Sequence, residues 1–444
     1  MAARAVVVGG GICGLATAHR LARGGMAVTL LEASDQLGGL GTFFTSRGRT
    51  VERFYHCVMP TDAALLELLD EVGLRESVDW RPTSMGMVVD GTRHSFNSAL
   101  DLLRFTPLGL VDRLRFGVVS LLLRRLGRGR DLDLTRTEDW LRGLYGDRIW
   151  EVLLAPMFGA KFGAAFGDVP ALYLWQRLGR ESNESVRGYP AGGYRSVIDA
   201  LRASIEAHGG EVRTSAPVAR LEAGPDRVVA TLPGGETIEA DHAVSTVPLP
   251  SLRAIADAGL APLLPEVELP YQGVVNALFF LRRPLSGHYW APVLRSGTDF
   301  DGVIEMTPLT GSERYDDRHL VYVMHYTGRE SALYLEDSDS IARRWTEQLL
   351  NLHGGLTVDD VDEVRVFKAP FVEPVYPLGY LTRRPAVVVP GTRLRLATTA
   401  HVYPNVTSWN SSVELSRTVT DALLRDARSS PNQENTAWPA ESAR

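Results

Sequence analysis

A chain of 444 residues that is 45% hydrophobic and 23% charged, with a mean hydropathy of -0.05, has a globular composition that excludes fibrous and disordered classes. Its net charge of -6 and pI near 6.0 give no basic footprint for a phosphate backbone, so no nucleic-acid partner is expected. The two cysteines, Cys13 and Cys57, cannot frame a disulfide scaffold, and no apolar run approaches the roughly 18 residues that span a bilayer.

The chain reaches its first strand at Ala5 with no charged region, apolar region or cleavage site ahead of it, which reads as a cytoplasmic protein. From Ala5 to Glu32 the pattern is strand, glycine turn, helix, strand. Ile12, Leu15, Ala16, His19 and Ala22 share one helical face, and Gly24-Gly25 closes that helix. Gly9-Gly10-Gly11-Ile12-Cys13-Gly14 carries the Gly-x-Gly-x-x-Gly spacing in the setting that gives it meaning. Gly9 permits the tight turn, Gly11 lets backbone N–H groups approach a pyrophosphate at the helix start, and Gly14 lets helix and strand pack closely. Glu32, at the end of the second strand, is placed for ribose hydroxyls and repels a 2′-phosphate.

Residues 62–188 are mostly helical in texture, with leucine clusters such as Leu65, Leu66, Leu68 and Leu69. Within them, residues 104–130 alternate leucines with arginines. A solvated amphipathic face is the expected reading there, and peripheral contact with an anionic membrane the alternative. A helix over 196–208 leads into short strands near 212, 218–221, 228–232 and 243–247, with Pro233-Gly234-Gly235 as a hairpin turn. A second strand-rich block around 274–281, 303–306 and 320–326, followed by a helix near 341–352, has the texture of a sheet flooring a cavity. Strand 394–397 and helix 411–425 restore the strand and helix alternation. The Ser411 to Glu414 spacing suggests a capping box, and the polar tail 427–444 is expected to be disordered.

A second glycine pair follows the acid in Glu32-Ala33-Ser34-Asp35-Gln36-Leu37-Gly38-Gly39-Leu40. Together with Pro190-Ala191-Gly192-Gly193-Tyr194, Pro217-Val218 and the strand Ala243-Val244-Ser245-Thr246-Val247-Pro248, it resembles the flavin amine oxidase and protoporphyrinogen oxidase superfamily. Gln36 departs from the arginine common there, and Ala397-Thr398-Thr399-Ala400 departs from the commoner Ala-Gly-Asp/Glu. The resemblance implies an α/β (α+β) fold. Its discontinuous Rossmann-like FAD-binding domain takes in 1–80, 189–250 and 386–426, and a mixed helical and β-sheet substrate domain takes in 81–188 and 251–385. FAD is then the expected cofactor. Gly9, Gly11, Ile12, Cys13, Gly14, Glu32, Ala33, Gln36, Gly38, Gly39, Leu40, Val218, Thr246, Thr399, Asn410 and Ser411 are the residues expected to hold it. No cysteine follows Cys57, so the cysteine link that some amine oxidases form in the C-terminal flavin segment is not available, and FAD is expected to be non-covalent.

The resemblance implies a small-molecule substrate that gives a hydride to the flavin. Tyr55, His56, Lys161, Glu305 and His325 are the catalytic candidates, with Tyr376 as a further one and Tyr403 with Trp409 near the C-terminal motif; no metal site is expected. An oxidase or dehydrogenase acting on a C–N or C–C bond is the leading expectation. The alternatives are a redox-neutral mutase of a sugar nucleotide and a non-catalytic binding protein on the same fold. Neither the substrate nor the oligomeric state is legible in these residues.

Overall fold

The structure, a computed structural model, describes residues 2–180 and 186–428. Its centre is a parallel five-stranded sheet in the order Leu394–Leu396, His242–Ser245, Arg4–Val8, Ala27–Leu31, Glu211–Arg213. Parallel strands covered on both faces are apolar throughout, which is why 5–8 read Ala-Val-Val-Val. Val7 faces one core with Leu30 and Val244, while Val6 and Val8 face another. Helices Ile12–Arg23, Gly193–Ala207 and Trp409–Arg428 cover the first face; the antiparallel strands Arg220–Ala223, Val228–Thr231 and Thr237–Ala240 cover the second. Strands and helices from three separated stretches of sequence therefore build one layer system.

A second sheet has seven strands in the order Val361–Pro374, Tyr271–Leu281, His319–Thr327, Gly302–Glu305, Trp290–Leu294, Gly86–Val89, Thr92–Ser95. Its side chains alternate between faces, as the pleat requires. Leu278, Phe280, Tyr322 and Met324 point to the core shared with the first sheet. Val275, Ala277, Phe279, Val321 and Val323 pack against Ile341, Trp345 and Leu349 of helix Ser338–Leu352.

Three features differ from the sequence expectations. The stretch 62–188 also holds strands: Val78–Pro82 pairs with Val186–Pro190, and Gly86–Val89 pairs with Thr92–Ser95 through a turn where Asp90 has φ 51° and Gly91 φ 74°. That Asp-Gly turn is the hairpin signature the leucine-rich texture overshadows. The last helix starts at Trp409, two residues before Ser411, because Ser408 and Ser411 cap it reciprocally: each backbone N–H donates to the other's hydroxyl, at 2.9 and 3.2 Å. It runs to Arg428, so Ala427 and Arg428 are helical, and the rest of the expected tail lies outside the described residues.

Candidate flavin site and the buried cluster beside it

The first glycine turn is shaped by what each missing side chain would strike. Gly9 has φ 104°, and a Cβ there would lie 2.7 Å from Thr246 Oγ1. At Gly14 a Cβ would sit 1.8 Å from the Gly9 carbonyl oxygen, so helix and strand pack with no room for a methyl. Gly11 is different. It has φ -69°, open to any residue, and the nearest atom to an added Cβ is Gly39 Cα at 3.9 Å. Gly39 has φ 58°, and Gly38, with φ 115°, donates its N–H to the Gly10 carbonyl at 2.8 Å. The two glycine segments thus face each other across a slot that side chains would fill.

Helix Ile12–Arg23 opens onto this slot with no side-chain cap and no acid in its first turn. The N–H groups of Ile12, Cys13 and Gly14 and the positive end of the helix dipole are left for an anion, as a pyrophosphate requires. Glu32 is fixed beside them, accepting from Gly10 N at 2.6 Å and from Ser34 N and Oγ, each at 2.9 Å. Its carbonyl accepts from Ala216 N at 2.9 Å, which brings the segment holding the buried Val218 next to Ala33. Thr246 donates to the Val8 carbonyl at 3.0 Å, and Leu40 packs on the first core. Gln36 has a buried Oε1 that no protein group satisfies, at the position where the resemblance expects an arginine. These residues fit the dinucleotide half of FAD.

The C-terminal segment closes the other side. Thr399 donates its hydroxyl to Tyr271 Oη at 3.2 Å, and its carbonyl accepts from Tyr376 Oη at 2.8 Å. The side chains of Asn410 and Ser411, two of the residues expected to hold the flavin, are engaged within the protein: Asn410 Oδ1 accepts from Leu65 N at 3.0 Å, and Ser411 Oγ donates to the Val406 carbonyl at 2.8 Å. Both side chains fasten the last helix, leaving its N-terminal dipole as the feature available to the ring. Cys13 donates its thiol to the Ala397 carbonyl at 3.3 Å, and burial pushes that thiol up to about 12, so it stays protonated and unreactive.

Between the segment after Gly39 and Thr399 lies a buried polar cluster. Lys161 Nζ is 2.7 Å from Glu373 Oε2 and 3.6 Å above the Tyr326 ring, whose hydroxyl is 3.4 Å from that of Tyr55. Arg177 lies 4.0 Å from the same carboxylate, and Tyr173 donates a hydrogen bond to it. Glu373 is only 3% exposed. Burial raises its proton affinity, but Lys161 and Arg177 more than offset this and hold the carboxyl below its ordinary range. Burial also drives the Tyr55 phenol well above its usual value. Tyr376, centred 5.3 Å from Tyr173 and 4.9 Å from Tyr403, links the cluster to Thr399.

Of the catalytic candidates the structure brings Tyr55 and Lys161 together and sends the others elsewhere. His56 is half-buried, with Nδ1 2.9 Å from the Phe54 carbonyl and its ring centred 5.0 Å from Tyr194 and 5.7 Å from Trp409; desolvation lowers its pKa, so it is a neutral packing element. Glu305 is spent on a loop, accepting from Leu285 N, Ser286 N and Gly287 N at 2.7–2.9 Å. His325 follows the strand alternation onto the face opposite Tyr326 and lies against Asp301. Glu373, Arg177, Tyr173 and Tyr326 complete the cluster without any local sequence signal. Glu373 sits near the end of a long strand, 200 residues from the tyrosine that donates to it.

The chain belongs to the flavin containing amine oxidoreductases, whose family profile matches residues 12–407. It is 26% identical over 279 residues to the Mycobacterium tuberculosis protein named "Putative flavin-containing monoamine oxidase AofH", covering 59% of this chain and 60% of that protein. The chain thus spans about 60% of the length of that curated relative. An oxidoreductase from Methanosarcina mazei shares the fold with a TM-score of 0.74 at 19% identity, over 94% of this chain and 100% of the other. Reduced UDP-galactopyranose mutase does so with a TM-score of 0.75 at 15% identity, over 97% and 98%. At such identities these likenesses establish the fold. Among the described residues no helix is long and apolar enough to cross a membrane.

Proposed function

We propose that this chain holds FAD non-covalently and oxidises a small-molecule metabolite by taking a hydride from a C–N or C–C bond. The observation that carries this reading is the pairing of the half-buried Lys161 with the buried Glu373, ringed by Tyr55, Tyr173 and Tyr326, between the two segments that fit the flavin. FAD, when bound, supplies the hydride acceptor. The protein's part is to position and to exclude water. The tyrosines present neutral hydroxyls, since burial keeps Tyr55 and Tyr173 protonated. Lys161 supplies a fixed positive charge whose partner carboxylate is already desolvated, so a bound polar group is oriented with little rearrangement.

The test is anaerobic mixing of the yellow protein with primary amines, polyamines and substrates that dehydrogenate at a C–C bond, following flavin absorbance. One class should bleach the flavin, and Lys161→Met should slow that bleaching while retaining flavin. A protein that binds FAD, is bleached by none of them and, once reduced, interconverts a sugar nucleotide would replace oxidation with a redox-neutral reaction. A protein that takes up no FAD would be a binding protein.

A further inference from the structure

Eight of the sixteen exposed large apolar side chains among the described residues fall in one stretch, 100–122. They are Leu100 and Leu103 on helix Ala99–Arg104, and Leu110, Val111, Leu114, Val118, Leu121 and Leu122 on helix Leu110–Leu126. At about 100° per residue the last six lie within an arc of about 120°. The opposite side of the same helix is apolar too: Leu123 is buried, and Phe116 and Val119 pack on the core. The helix therefore uses one apolar face for folding and turns a second to the outside, where Val111 is 78% and Leu121 86% exposed. A solvated amphipathic helix would show the reverse, so the sequence expectation for this segment is corrected.

The charge around that face is as uneven as its polarity. Residues 99–130 carry seven arginines against two aspartates, in a chain whose net charge is -6. Arg113 is used internally, donating to the Leu108 carbonyl at 2.7 Å and to the Leu103 carbonyl, which locks the two helices side by side. Arg124, Arg125, Arg128 and Arg130 are exposed and form no side-chain ion pair among the described residues. Asp101 is occupied in capping its helix.

We infer that this helix pair docks in the plane of an anionic lipid bilayer, its leucines and valines entering the acyl boundary and its arginines meeting the headgroups. A two-fold contact with a second copy is disfavoured, since it would press the same arginine-rich patch against itself. The docking helix is one element away from the buried cluster. Trp175 Nε1 donates to the Leu123 carbonyl at 3.2 Å, and the helix that carries Trp175, Ala171–Arg180, also carries Tyr173 and Arg177 against Glu373. Docking thus places the candidate active site at the membrane surface.

Co-sedimentation of the flavin-loaded protein with vesicles tests this, using phosphatidylcholine alone and phosphatidylcholine mixed equally with phosphatidylglycerol. Binding to the anionic vesicles should be roughly tenfold stronger or more, and should weaken with salt. Leu114→Glu/Val118→Glu/Leu121→Glu should abolish it, and Arg124→Gln/Arg125→Gln/Arg128→Gln should remove the anionic preference. Both sets are on exposed positions, so flavin content and melting temperature should match wild type. Wild-type protein that stays in the supernatant with both vesicles overturns the inference, as does a triple glutamate variant that binds as well as wild type. A wild-type dimer that the glutamate variant dissociates, without vesicle binding, would reassign the face to self-association.

Discussion

Gly11→Val separates ligand binding from folding, because the two fingerprint glycines Gly11 and Gly14 meet opposite surroundings. At Gly11 the backbone is extended, at φ -69° and ψ 176°, and no atom lies nearer than 3.9 Å to an added Cβ. Valine is a poorer N-cap than glycine, so apo stability should fall by only about 0.5–1 kcal/mol. The valine methyls would occupy the slot facing Gly39, where the pyrophosphate meets the helix start. With FAD at a hundred times its Kd, wild type gains about 2.7 kcal/mol; a hundredfold weaker Kd reduces that gain to about 0.4 kcal/mol at the same FAD concentration. Gly14→Ala should behave otherwise. Its Cβ would stand 1.8 Å from the Gly9 carbonyl oxygen, backbone that cannot step aside, and about 3 kcal/mol or more of apo stability should be lost. Thermal melts of both apo variants with and without FAD, alongside flavin content at purification, measure these quantities. Gly11→Val protein with wild-type flavin content and a wild-type FAD-induced shift would refute the slot. Gly14→Ala protein as stable as wild type would refute the packing argument.

Lys161→Met strands Glu373, 3% exposed, with Arg177 4.0 Å away as its remaining cation, and should cost about 3 kcal/mol in urea unfolding. Lys161→Met/Glu373→Leu should recover most of that, and strictly additive losses would contradict the pair. Acid precipitation should release the yellow colour to the supernatant, since no cysteine follows Cys57 to link the flavin in the C-terminal segment; flavin retained in the pellet with the intact mass raised by one FAD would contradict it and point to His56 or Cys57. His242, His353 and His401 are held near 4 by burial, below the ordinary 6.5. Their depressed values mean the unfolded chain binds protons that the folded chain refuses, so stability is full above pH 6.5 and falls as pH drops toward 4. Each should contribute a slope of up to about 1.4 kcal/mol per pH unit in that window. A melting temperature that stays flat from pH 6.5 to 4 would show that these histidines are solvated.

The glycine turn, Glu32 and the second glycine pair were legible in the sequence because they answer to local geometry. A positive φ at Gly9 or Gly38, or a backbone approach that forbids a Cβ at Gly14, restricts the residue at that one position. The hydrophobic runs of the parallel sheet and the periodicity of the helices follow from burial acting on neighbours a few residues apart. The buried cluster has no such local imprint. Tyr55 and Lys161 are named from the sequence, but Glu373 is an ordinary charged residue until the fold brings the end of strand Val361–Pro374 to Lys161, and nothing near it announces its partner. Glu305 and His325 looked equally suitable by residue type, and strand alternation and a loop of three backbone donors decided against them. The leucine-rich helix shows the same division: its periodicity is written in the sequence, but with apolar residues on both sides only tertiary packing decides which face folds inward and which is left exposed.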